Sequence, residues 1–152
     1  MCLNRKSEVQ IADRDITCYK IIQIYHLPDG DNYRSYFQHA EIELNKAITA
    51  SYYLDPRTAN KYLYGQVVHA YIHISCDDDD IDWYIHDTKT DPYFSECDVD
   101  IVKIECIIPK GTIFCEGLDD DDNECYGAAV IIPKRVIEKI ATIDKYHNRI
   151  DD

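Results

Sequence analysis

The residues best suited to chemistry in this chain are histidines and clustered carboxylates. His69 and His73 are four residues apart, the spacing at which two imidazoles share one helix face and can grip a single metal ion. The surrounding pattern alternates instead. Val68, Ala70, Ile72 and Ile74 fall on one face, and His69, Tyr71, His73 and Ser75 on the other, so Gln66 to Ser75 reads as a strand. On a strand the two rings stand ~13 Å apart, from a rise of about 3.3 Å per residue, and cannot share a metal. Two uninterrupted acidic runs remain, Asp77-Asp78-Asp79-Asp80 and Asp119-Asp120-Asp121-Asp122. Carboxylates gathered in this way suit a hard cation such as Ca²⁺ or a basic protein surface. The seven cysteines (Cys2, Cys18, Cys76, Cys97, Cys106, Cys115, Cys125) include no C-x-x-C pair, the tight-turn element of most zinc sites. They are expected to be reduced thiols, buried or half-buried, and no metal ligands are assigned.

The charge balance narrows the partners. Twenty-nine acidic against sixteen basic residues leave a formal charge of -13 on 152 residues. Such a surface attracts basic proteins and repels nucleic acid and anionic membranes. A hydrophobic fraction of 45% is ordinary for a folded protein, and the length fits one domain spanning 1–152. Thirteen Tyr beside three Phe and one Trp suit half-buried sheet faces and interaction surfaces, because Tyr joins an aromatic body to a polar tip. Neither an apolar leader segment nor an apolar stretch of ~18 residues is present, so the expectation is a cytoplasmic protein.

The elements that must position these residues follow from periodicity. Thr17 to His26 is rich in β-branched and aromatic residues and predicts a strand closed by a turn at Leu27 to Asn32. Ala40, Leu44, Ala47 and Ile48 predict a helix over Gln38 to Ser51, and Asp55-Pro56 a short helix start running to Tyr64. Ile81 to His86 suggests a short strand, and Asp87 to Asp98 a loop. Three further strands are expected at Asp100 to Ile108, Thr112 to Cys115 and Cys125 to Ile132, with an acidic loop over Gly117 to Glu124. Ile-Ile-Pro-Lys occurs at 107–110 and again at 131–134, reading as two strands with the same ending ahead of the alternative of an ancient duplication. From Pro133, the apolar residues Val136, Ile137, Ile140, Ala141 and Ile143 predict a terminal helix. The expected fold is α+β, a single compact domain of mainly antiparallel sheet with about two helices.

Three partial resemblances follow from short motifs. His73-Ile74-Ser75 and His86-Asp87-Thr88 resemble the paired H-x-[ST] triplets of two-histidine phosphoesterases, here only thirteen residues apart. Asp119, Asp121 and Asn123 resemble the first three ligands of an EF-hand loop. Glu124 at the glycine position and Val130 at the bidentate Glu position exclude that motif. Glu105-Cys106-Ile107-Ile108-Pro109-Lys110-Gly111-Thr112 resembles the strand in which ADP-ribosyltransferase-like folds place a catalytic Glu ahead of a Pro-x-Gly-Thr turn. That resemblance implies Glu105 as stabiliser of an oxocarbenium-like transition state and Lys20, where the family has Arg, as the cofactor-holding residue. Ser75 is what remains of the family's serine-threonine-serine strand, and Lys103 stands where many members carry a second acidic residue. In overall character the chain resembles small acidic proteins of phages and prophages.

Taken together, these features predict a non-enzymatic interaction protein without a cofactor. Asp77, Asp78, Asp79, Asp80, Asp119, Asp120, Asp121 and Asp122 would meet a basic protein partner, in an assembly or as an inhibitor imitating nucleic-acid charge. The alternatives are a divergent ADP-ribosyltransferase-like enzyme using Glu105, Lys20 and Ser75, or a Ca²⁺-binding module.

Overall fold

Long runs of β-branched residues dominate the structure. The computed structural model describes residues 4–5, 9–36, 40–50, 68–75, 78–90, 97–119 and 121–150. The first strands are β1 (Asn4–Arg5), β2 (Gln10–Ile11), β3 (Ile16–Leu27), β4 (Gly30–Ser35), β5 (Glu41–Ile42), β6 (Ile48–Thr49) and β7 (Val68–Tyr71). Helix α1 (Asp78–Lys89) precedes β8 (Val99–Ile108), β9 (Ile113–Leu118), β10 (Glu124–Ala128), β11 (Val130–Ile143) and β12 (Arg149–Ile150).

The expected α+β balance is therefore corrected: the described residues form mostly antiparallel sheet, with one helix. Both predicted helices that can be checked are replaced by strands. Within 40–50 the chain forms β5 and β6 around a turn in which Asn45 adopts φ 64°, a left-handed conformation that Asn tolerates and a helix does not. The predicted terminal helix is the body of β11, whose Ala141 and Ile143 are buried in alternation. Its Val and Ile content favours strand, and the helical spacing of Val136, Ile137, Ile140 and Ala141 is incidental. Consequently only the first Ile-Ile-Pro-Lys ends a strand; Pro133 lies within β11, where its carbonyl accepts from Asn45 N at 2.6 Å. The predicted helix start at Asp55-Pro56 lies outside the described residues.

The chain divides into two compact units: Met1–Lys20, Leu44–Ile74 and Glu105–Arg135 in the first, and Ile21–Glu43, Ser75–Ile104 and Val136–Asp152 in the second. Strands β3, β8 and β11 are neighbours in that order. In the first unit, β1, β9, β10, β7 and β3 follow one another, with β2 on β9 and β6 on β11. Cys125 faces Gly117 and Cys115 faces Gly127 across β9 and β10, so these two buried thiols share one face of the ladder. In the second unit, β4 pairs with β3 and β5, and β12 with β11. Residues 21–25 of β3 are all buried, which requires cover on both faces of the strand.

Helix α1 replaces the predicted strand at Ile81 to His86 and the start of the predicted loop after it. Ile81, Tyr84, Ile85 and Thr88 recur at helical spacing and form its inward face, with Tyr84, Ile85 and Thr88 buried. The helix opens at Asp78, and Asp80 in its first turn is buried. His86 and Lys89 complement the other end. His147 Nδ1 also donates to the Lys89 carbonyl at 2.9 Å.

Candidate functional site

Lys20 and Glu105 of the ADP-ribosyltransferase-like reading are held by different partners. Lys20 Nζ donates to the His69 carbonyl at 2.6 Å, and its charge is felt by Cys18 and Cys106. Burial lowers the pKa of its ammonium. Glu105, one residue before Cys106 and so on the opposite face of β8, is bound by Arg135 at 3.2 Å and 3.4 Å. Ser75 is exposed beyond the end of β7 and belongs to the other unit. The motif behind the resemblance has a local explanation. Thr112 N donates to Pro109 O at 3.1 Å and Gly111 takes φ 88°, so Pro-x-Gly-Thr forms a turn needing Gly at its third position. Lys103 is buried and pairs with Glu138 at 3.5 Å.

The histidines separate as well. His69 has its Nε2 buried without a hydrogen-bond partner, and burial, reinforced by the Lys20 charge, pushes its pKa down to about 4. His73 lies past β7, exposed, and meets Glu124 at 3.2 Å. His86 is exposed on α1. Sequence reasoning passed over His26. Its Nδ1 lies 2.8 Å from Asp31 and its Nε2 2.8 Å from Asp100, whose other oxygen accepts from Thr142 Oγ1 at 2.6 Å. Partial burial opposes its charge, but hydrogen bonds and charge from Asp100 and Asp31 prevail and raise its pKa.

The acidic runs have divided roles. Asp119 is buried: Oδ1 accepts from the N–H groups of Asp121 and Asn123 at 2.9 Å each, and Oδ2 from Asn123 Nδ2 at 3.1 Å. It closes the loop between β9 and β10, in which Asp122 adopts φ 62°. Asp144 does the same between β11 and β12, accepting from Tyr146 N and Asn148 N with His147 at φ 67°. Asp-x-x-x-Asn between two strands is thus a signal present in the sequence and not used. Asp121 and Asp122 are exposed; Asp80 is buried; Asp77 and Asp120 lie outside the described residues. No group of three or more His, Cys, Asp or Glu among the described residues is arranged to hold a metal ion.

What the second unit does assemble is an aromatic platform on α1. Trp83, 51% exposed, is backed by Tyr36 at 6.1 Å between ring centroids and by Tyr84 at 5.0 Å. Tyr36 is tied in turn to buried Thr88, with 2.8 Å between hydroxyl oxygens. Thr88 Oγ1 donates to Tyr84 O at 2.9 Å and accepts from Gln23 Nε2 at 3.0 Å, and Gln23 Oε1 accepts from Tyr25 at 3.3 Å. Asp82 and His86 are exposed beside Trp83 on the helix.

The charge is divided unevenly between the units. The segments of the second contain eighteen acidic and six basic residues, and those of the first eleven and ten. Of the formal charge of -13, the second unit therefore carries -12 and the first -1. Among the described residues, no helix is long and apolar enough to cross a membrane. No protein-family model, curated protein or solved structure matches this chain.

Proposed function

We propose that this chain is a non-enzymatic interaction protein whose second unit binds a basic protein. The observation that carries this reading is the charge division, because concentrating negative charge on one unit turns a general acidity into a directed field. Complementary potentials of this kind speed encounter and select partners more than they add affinity. The role is that of an assembly component or of an inhibitor presenting carboxylates where a nucleic acid would present phosphates.

The test compares two triple variants with equal charge change. Asp78→Asn, Asp79→Asn and Asp82→Asn remove three charges from the helix in the second unit; Asp121→Asn, Asp122→Asn and Glu124→Gln remove three from the first. Association with a basic protein captured from native-host extract at low salt is followed by stopped flow across ionic strength. The helix triple alone is expected to slow association and flatten its salt dependence. Equal effects from both triples would mean that only overall charge matters, and the reading would fail.

A further inference from the structure

Trp83 is the one tryptophan of the chain, and the fold leaves half of it in solvent while fixing what lies behind it. Tyr36 and Tyr84 back the indole, and the buried Thr88–Gln23 hydrogen bonds hold Tyr36 in place. Asp82 is exposed next to it in the chain, and the surrounding unit carries -12. A rigid aromatic face in a negative field has a specific complement. A guanidinium can stack flat on the indole and reach a neighbouring carboxylate with its N–H fork, and it sheds water more readily than an ammonium. Rigid, partly exposed aromatic side chains of this sort are where interfaces concentrate their energy.

We propose that exposed Trp83 on α1, in the acidic setting that includes Asp82, anchors an arginine side chain of a basic polypeptide partner. This rests on the reading of the second unit as a basic-protein binder, and adds the anchor and the residue it takes. The lone tryptophan also makes the site its own reporter.

Three fluorescein-free nonapeptides, all-arginine, all-lysine and a neutral glycine-serine sequence, are titrated into the full chain. Trp83 emission and calorimetry are read in parallel at low and moderate salt. The arginine peptide is expected to change Trp83 emission and to bind more tightly than the lysine peptide. Trp83→Ala should weaken arginine-peptide binding roughly three- to tenfold, and Trp83→Phe less, with lysine-peptide binding nearly unaffected. Circular dichroism of both variants checks that the fold persists, as expected for a half-exposed side chain. Binding of both cationic peptides with unchanged Trp83 emission, and with equal affinity in Trp83→Ala, would overturn the anchor while leaving the basic-partner reading standing. Absence of binding by either cationic peptide would overturn both.

Discussion

Thr88 Oγ1 stands 2.8 Å from the Tyr36 hydroxyl and 3.0 Å from Gln23 Nε2, so a single buried threonine joins α1 to β3 and to the aromatic platform. Thr88 and Gln23 are both fully buried, and buried polar groups of this kind are costly when a partner is removed. Thr88→Val keeps the shape and deletes the acceptor. It is expected to destabilise the chain by about 1–3 kcal/mol and to alter Trp83 emission in the folded state, read by urea titration. Tyr36→Phe should cost less, and unchanged stability in Thr88→Val would show that the network contributes nothing.

The two Asp-x-x-x-Asn loops give a second expectation. Asp119→Ala removes an acceptor used by three donors and is expected to lower stability by about 1–3 kcal/mol. Asp121→Asn, at an exposed position of the same loop, should stay within about 0.5 kcal/mol. Thermal melts of the pair decide whether the run acts as a uniform charge patch or contains a loop lock.

His26 predicts a pH dependence. Its folded pKa is raised, so its contribution is fully present below the unfolded value of about 6.5 and fades as pH climbs through the folded value. Because the ring is 40% exposed, the effect should remain below about 1 kcal/mol. The stability difference between the native chain and His26→Gln should shrink from pH 6 to pH 9. In the same range His69, already neutral, should show a flat imidazole NMR shift, whereas a His69 titration near neutrality would contradict its buried position.

Thiol chemistry supplies a fourth. Cys18, Cys97, Cys106, Cys115 and Cys125 are buried and form no disulfide. Burial holds the Cys18 thiol far above its usual range, and pushes Cys106 to about 12. Thiolates are the reactive form. These five should resist iodoacetamide in the folded chain and react after denaturation, as peptide mass mapping would show. Rapid native labelling of Cys18 or Cys106 would place them nearer solvent than the structure does.

Local chemistry was legible from the residues alone. The turn at Pro28-Asp29-Gly30, the strand over β8, the Pro109–Thr112 turn and the acidic loop before β10 all follow from side chains acting on their own backbone. The helix α1 was hidden, because Trp83, Tyr84 and Ile85 also favour strands and Asp77–Asp80 reads equally as loop or as helix start. The Ile- and Val-rich β11 posed the converse ambiguity, since its apolar spacing fits a helix while its β-branched residues fit a strand.

The sequence by itself determined the acidity and the strand-rich composition, because these are sums over residues or depend on near neighbours. The tertiary structure alone decided which carboxylates face solvent, that Lys20 reaches the His69 carbonyl while Glu105 is held by Arg135, and that -12 of the charge falls in one unit. Those outcomes depend on pairings between residues tens of positions apart, such as Gln23 with Thr88 or His26 with Asp100. A strand shifted by one residue exchanges its faces, so contacts of that range cannot be inferred from local pattern.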